Sequence, residues 1–255
     1  MTLAARIARL TGVQVTGLTR LHGGDLGTVT RVTLANGDLL VAKQGPLVET
    51  EARMLAALAP FAPEPLQVDG DLLLMQHLSE GPANWRHLGQ ILRQVHDRPG
   101  PQPGWDTDYA FGPVAIPNRT APNWPAFWVD RRLRPFLPHL PADLARRLDA
   151  LCTRLPDLLP DTPPRLLHGD LWTGNVHFSG GRGWLIDPAC YYGDPEVDLA
   201  MLHLFGTPPP AFRDGYGPPR PGYADRQPLY QLWPALVHLR LFGAAYEPLV
   251  RRLIG

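Results

Sequence analysis

At 255 residues the chain is long enough for one large domain or two small lobes, and 44% hydrophobic content is enough for a packed core. Its 24 basic and 24 acidic side chains cancel, and with no long basic tract neither nucleic acid nor a membrane surface is the expected partner. The 30 prolines and 25 glycines stay under the roughly 25–30% share of low-complexity chains, which points to ordered loops. No apolar run has membrane-spanning length and no signal peptide opens the chain. Cys152 and Cys190 lack metal-ligand spacing and read as buried, reduced thiols of a cytoplasmic protein.

Leu3, Ile7 and Leu10 recur at helical spacing behind Thr2 as a cap, and Gly12 ends the run. Residues 13–21 and 28–34 alternate as strands, and Asn36-Gly37 marks a hairpin into a strand over 39–43. The loop between the first two strands, His22-Gly23-Gly24-Asp25-Leu26-Gly27-Thr28-Val29, fits the phosphate-covering pattern G-x-G-x-x-G-x-V except for His22 at the first glycine. Taken alone it is equally a plain glycine hairpin. Lys43 adds weight, because it is the only lysine against 23 arginines. A compact ammonium reaches between phosphate oxygens and a carboxylate where a planar guanidinium does not fit.

The segment 47–59 carries Leu47, Met54, Leu55 and Leu58 on one helical stripe, with Glu51 on it. A carboxylate facing a core needs a partner, and Lys43 is the candidate. Glu49, four residues before Arg53, reads as a solvent-side pair; a small change in the helix boundary would exchange the two roles. Strands over 66–68 and 72–75 flank Asp69-Gly70. Beyond them Met75, Gln76, His77 and Leu78 read as a hinge: in a two-lobed kinase the backbone there holds adenine, with Met75 at the back of the pocket.

Trp85, Leu88, Leu92 and Val95 mark a helix. Residues 99–125 show no clear period and read as an ordered loop rich in aromatics, and 141–158 is an amphipathic helix. His168-Gly169-Asp170-Leu171, with Asn175 five residues after the aspartate, matches the catalytic-loop pattern H-R-D-L-x-x-x-N except for Gly169. Phosphoryl transfer needs one carboxylate to orient the attacking hydroxyl, the role read for Asp170, and oxygen ligands for Mg2+, read as Asn175 and Asp187. A hairpin from 176–178 to 184–186 is expected to return Asp187 towards Asn175. Asp194 caps the next helix, Pro195 opens it, and Asp198 reads as a brace for the catalytic loop. Residues 207–222 read as a Pro/Gly loop, before a last long helix through Leu229, Leu232, Leu236 and Leu239.

Leu166 to Val176 together with Asp187 to Met201 closely resembles the fructosamine kinases, or ketosamine-3-kinases, relatives of aminoglycoside phosphotransferases. Leu88-Gly89 through His96, Phe111-Gly112 with Asn123-Trp124, and Leu229 to Gly243 extend the resemblance over nearly the whole chain. It implies an α+β, protein-kinase-like two-lobed fold, with a small antiparallel-sheet lobe over 1–78 and a larger, mainly helical lobe over 79–255. It further implies ATP, Mg2+, and transfer to the third hydroxyl of a sugar on an amine, either a small ketosamine or a glycated protein. Carried over by position, Asp170 is the base, Asn175 and Asp187 hold metal, and Lys43 with Glu51 anchors phosphate beneath the N–H groups of Gly23 and Gly24. Trp172 lines the sugar site, and Tyr191, Asp194, Asn123 and Trp124 belong to the substrate side. Asp187-Pro188-Ala189 stands in place of Asp-Phe-Gly, and no Ala-Pro-Glu-bounded activation segment is present. Another small-molecule kinase, such as one for aminoglycosides, and a nucleotide-binding pseudokinase scaffold are the competing expectations.

Overall fold

A computed structural model describes residues 1–21 and 27–255. The chain divides into two compact units, the first formed by Met1–Asn84 with Val176–Pro188 and the second by Trp85–Asn175 with Ala189–Gly255. A cut into the consecutive segments 1–78 and 79–255 is therefore corrected in two places. The first segment extends to Asn84, and the hairpin before Asp187 belongs with it. Hydrogen bonds from Leu185 N–H to the Phe61 carbonyl (2.8 Å) and from Asn84 Nδ2 to the Gly181 carbonyl (2.7 Å) tie that hairpin to the first unit.

Among the described residues the first unit is built on a five-stranded antiparallel sheet in the order β1-β2-β3-β5-β4. Its strands are β1 (Val15–Arg20), β2 (Thr28–Leu34), β3 (Leu39–Gln44), β4 (Pro65–Asp69) and β5 (Leu72–Gln76). Helix α1 (Leu3–Thr11) starts at Thr2, whose hydroxyl accepts from Ala5 N–H, and stops where Gly12 turns left-handed at φ 72°. Ile7 of α1 is fully buried with Val32, Leu34, Ala42, Leu72 and Leu74 of the sheet. Helix α2 (Val48–Leu58) packs on β4 and β5.

The second unit is mainly helical, and its packing turns on α3 (Trp85–His96) and α7 (Pro210–Tyr216). These two helices cross through glycines. A Cβ on Gly89 would collide with the Phe212 carbonyl oxygen, and one on Gly215 with that of Arg86. Helix α7 corrects the reading of 207–222 as a loop: it opens at Pro210 after a run of prolines and lasts only seven residues, too short to show a period. The expected loop 99–125 likewise holds β6 (Tyr109–Phe111), its partner β7 (Val114–Ile116) and the start of α4 (Trp124–Phe127). Three-residue strands leave almost no alternation to read. The remaining elements are α5 (Ala142–Leu158), β8 (Arg165–Leu167), β9 (Val176–Ser179), β10 (Arg182–Leu185), β11 (Tyr191–Gly193), α6 (Glu196–Leu202), α8 (Tyr223–Phe242) and α9 (Glu247–Ile254). Of these, β9 and β10 form the first unit's hairpin. In the second unit Trp124, Phe127, Trp128, Tyr191 and Tyr230 form an aromatic centre with no exposed surface.

No described helix is long and apolar enough to cross a membrane. The glycine crossing makes a direct prediction. Gly215→Ala should lower stability by about 1–3 kcal/mol through backbone overpacking, read as a lower urea midpoint at unchanged slope. Ala at Gly180, where the added Cβ meets nothing within 4 Å, should leave a smaller effect, set by its left-handed backbone.

Candidate active site

Strand alternation places Lys43 on the face of β3 opposite the core residue Ala42. Its Nζ lies 2.7 Å from Glu51 Oε1 and 2.8 Å from Asp187 Oδ1. Lys43 and Glu51 are both buried, so Glu51, on the inner stripe of α2, and not Glu49, is the carboxylate that meets the lysine. Burial pulls the Lys43 ammonium towards neutrality, but the two carboxylates outweigh it and leave its pKa raised. Asp187 follows β10 and has a left-handed backbone at φ 51°, uncommon for a residue with a side chain. Gly27, at the end of the glycine loop, comes so near β3 that a Cβ would sit 2.7 Å from the Gln44 carbonyl oxygen. Gly23 and Gly24 lie outside the described residues.

Of the expected hinge residues, Met75 is a buried rung of the sheet, opposite Val41 and Pro65. The Gln76 N–H donates to the Glu64 carbonyl at 2.9 Å, so that N–H is engaged within the protein. His77 and Leu78 follow, half-buried, and burial together with Arg31 and His177 holds the His77 imidazole below its usual pKa.

In the second unit β8 and β11 pair antiparallel, Leu167 opposite Tyr191, and deliver the His168–Asp170 loop. The loop passes so close to the 188–190 turn that a Cβ on Gly169 would collide with the Ala189 carbonyl oxygen, and Gly169 has φ 82°. Both facts explain glycine where the motif has arginine. Asp198, fully buried near the start of α6, accepts from His168 N–H at 2.7 Å and Gly169 N–H at 2.9 Å. His96 Nε2 is 3.0 Å from the same carboxylate, and His96 Nδ1 is 2.8 Å from the Tyr216 hydroxyl. A carboxylate only accepts, so Nε2 carries a proton, and in the neutral imidazole Nδ1 accepts from Tyr216. Sequence reasoning found the brace but missed His96 and Tyr216; a histidine closing the apolar stripe of α3 was the available signal.

Asn175 donates through Nδ2 to the Asp170 carbonyl and to Asp170 Oδ2, both at 2.8 Å. Both amide hydrogens are then used, leaving Asn175 Oδ1 as an acceptor. Asp187 spends Oδ1 on Lys43 and keeps Oδ2. Amide and carboxylate oxygens of this kind suit a hard cation that completes its shell with phosphate and water. Among the described residues no group of three His, Cys, Asp or Glu forms a self-contained metal cage. Trp172 is 41% exposed, and its ring fills the space a Cβ on Gly174 would take.

Three of the residues expected on the substrate side are corrected. Trp124, Tyr191 and Asp194 have no exposed surface, and a side chain with none touches no substrate. Trp124 Nε1 donates to the Tyr230 hydroxyl (3.0 Å), which donates to Asp194 (2.8 Å). Asp194 also holds Arg220 at 2.7 Å, and Arg220 and Arg226 clamp buried Glu196. Tyr191 stacks on Phe127 beneath the Arg132 guanidinium. Asn123 caps α4, accepting from Ala126 N–H at 2.9 Å. Trp124, Tyr191 and Asp194 belong to the packed frame of the second unit. Cys152 and Cys190 are buried thiols, and burial pushes both up, Cys152 to about 11.

Two outcomes are expected. Lys43→Met leaves Glu51 buried without its partner and should cost about 3–5 kcal/mol; the double variant with Glu51→Gln should recover much of that loss in urea unfolding. For Asp198, burial pushes the carboxyl up, but the His96 hydrogen bond, the nearby imidazoles and Gly169 N–H hold it below 3.8. Its stabilising effect is in place above that unfolded value and is lost as pH falls through the lower native value. Urea unfolding from pH 7 to 3 should show a steeper acid loss for the wild type than for Asp198→Asn, and equal slopes would contradict the assignment.

Comparison with known proteins agrees with this geometry. The fructosamine kinase family model matches residues 3–255. A probable ketoamine kinase of Thermus thermophilus is 35% identical over 252 residues, 92% of each chain. The crystal structure of a provisionally named fructosamine-3-kinase from Thermobifida fusca superposes with a TM-score of 0.92 at 32% identity, over 99% of this chain and 97% of that one. An aminoglycoside phosphotransferase crystallised with AMP-PNP and hygromycin B shares the fold, with a TM-score of 0.71 at 17% identity, over 100% of this chain and 98% of its own. With its sheet unit, helical unit and His-Gly-Asp loop, the chain belongs to the fructosamine kinase family and is a protein-kinase-like, ATP-dependent phosphotransferase acting on a hydroxyl.

Proposed function

We propose that the protein phosphorylates the 3-hydroxyl of ketosamines, fructose or ribulose adducts of amines, and so serves deglycation in the cytoplasm. The observation that carries this reading is the Asp170 carboxylate, held by Asn175 in a loop that also presents the exposed Trp172 indole. Asp170 accepts the proton of the sugar hydroxyl as that oxygen bonds to the γ-phosphorus of ATP; the bond to the β–γ bridging oxygen breaks and ADP leaves. Lys43, fixed by Glu51, binds and orients the phosphates, and Gly23 and Gly24 of the glycine loop are proposed as further phosphate ligands through their N–H groups. Asn175 and Asp187 would hold Mg2+, which neutralises phosphate charge when bound. His77 and Leu78 offer backbone groups to adenine. The flat face of Trp172 packs on the sugar, selecting an open or cyclic ketose over a bulkier polycyclic acceptor.

A phosphate at carbon 3 also explains a deglycating role. Once the ketoamine enolises towards carbon 1, the phosphate is β-eliminated and the amine is freed on hydrolysis. The amine is carried either by a small molecule or by a protein lysine. An aminoglycoside substrate is less well supported: Asp194, Glu196 and Asp198, the carboxylates of the motif that follows Asp187, are buried and already paired, so they cannot receive a polycation.

The purified protein should transfer phosphate from ATP to ribulose-lysine or fructose-lysine, with the product ester at carbon 3 by NMR. Asp170→Asn should lower kcat by about 10²–10⁴-fold with little change in KM for ATP. Transfer to some other alcohol and to no ketosamine sinks the substrate reading. ATP binding with no turnover, unchanged in Asp170→Asn, sinks the catalytic one.

A further inference from the structure

The second unit contains a cavity that the phosphotransfer residues do not use. It measures about 430 Å³ and lies among the end of α6, residues 207–210, α7 and the start of α8. Small-molecule sites run from roughly 300 to 1,000 Å³ and combine apolar walls with a few polar groups. Here Pro208, Pro210, Phe212, Tyr216 and Tyr223 supply rigid or flat apolar walls. The Phe212 and Tyr216 rings are nearly parallel, at 10° and 5.9 Å between centroids. Such walls take a planar ring more readily than a branched aliphatic chain.

Charge narrows the ligand further. Arg213 lines the cavity, is exposed, and makes no side-chain hydrogen bond or ion pair among the described residues. Its charged neighbours are already engaged: Asp214 with Arg86 at 2.9 Å, and Arg220 with Asp194 and Glu196. The uncommitted charge at the cavity is therefore positive, and a planar guanidinium matches a carboxylate in two-point geometry.

The cavity also touches the catalytic machinery through one of its walls. The Tyr216 ring faces the cavity, while its hydroxyl donates to His96, whose Nε2–H bonds Asp198, the acceptor for His168 and Gly169 N–H. Helix α7 is pressed onto α3 at Gly215 and Gly89 with no room for a methyl group. A ligand that displaces the Tyr216 ring must then disturb the hydrogen bond to His96, because the backbone cannot yield. We propose that this cavity binds a planar aromatic molecule carrying one carboxylate or similar anionic group, and that its occupancy alters turnover through Tyr216, His96 and Asp198.

Naphthalene-2-carboxylate and neutral naphthalene-2-methanol serve as probes, titrated calorimetrically into the full chain with AMP-PNP saturating the nucleotide site. Expected is saturable one-site binding of the carboxylate, tighter than the alcohol by about tenfold, the worth of one charged hydrogen bond. Arg213→Gln should remove that advantage, and Thr207→Trp, placing an indole at the exposed rim, should weaken both probes. In assays with saturating ATP and ketosamine, the carboxylate should change kcat by about fivefold. Tyr216→Phe, which keeps the ring and loses the hydroxyl, should retain binding and lose the response. No saturable binding, or binding indifferent to both Arg213→Gln and Thr207→Trp, overturns the site. Binding with unchanged kcat overturns the coupling. The calorimetric arms stand apart from the ketosamine reading, so failure of one is distinguishable from failure of the other.

Discussion

The Asp198 carboxylate is the interaction on which the His168–Asp170 loop depends. A charge with no exposed surface is costly unless donors replace the water it loses, and here three converge: two backbone N–H groups of the loop and the His96 imidazole. The arrangement fixes the loop as well as the charge. With His168 and Gly169 held through their backbone, Asp170 is placed by main-chain geometry, and Asn175 Nδ2 bonds its carboxylate. Position near the start of α6 adds the favourable end of the helix dipole to the same carboxylate.

Close approach is the second constraint, and glycine meets it at each place. Gly169 passes the Ala189 carbonyl, Gly174 gives its side-chain space to Trp172, and Gly89 and Gly215 let α3 and α7 touch. Gly169 therefore departs from the arginine of the wider kinase motif for a steric reason. Behind these contacts, Trp124, Tyr230, Asp194 and Arg220 form a continuous hydrogen-bonded frame linking α4, α8 and α6. Residues that make a family motif distinctive can thus be distant from any ligand: they specify where the loop stands.

The residues proposed for the chemistry fall in both units of the chain. Lys43, Glu51 and Asp187 belong to the first, and Asp170 and Asn175 to the second. The peptide bond between Asn175 and Val176 is also where one unit passes to the other, so the metal-ligand candidates flank the β9–β10 hairpin. Lys43 works as an ammonium because two carboxylates offset its burial. Its uniqueness in an arginine-rich chain follows, since a guanidinium would not reach Glu51 and Asp187 at 2.7 and 2.8 Å with the same compact geometry.

The amino-acid sequence by itself determined the place of the His168–Asn175 loop, the sheet with its Asn36-Gly37 turn, the helices with long apolar stripes, and Lys43 as a residue under special demand. These are local signals: spacing, caps and turn chemistry act within a few residues. Glu51 was legible because a carboxylate on an apolar stripe requires a partner. The tertiary structure alone decided which carboxylates are spent inside the protein, that the Gln76 N–H is committed to Glu64, that the hairpin before Asp187 joins the first unit, and that Tyr216 reaches the loop through His96. Each depends on groups from a dozen to more than a hundred residues apart or on elements of three to seven residues. Sequence periodicity carries no information about either, because burial and hydrogen-bond satisfaction are settled only when distant segments pack.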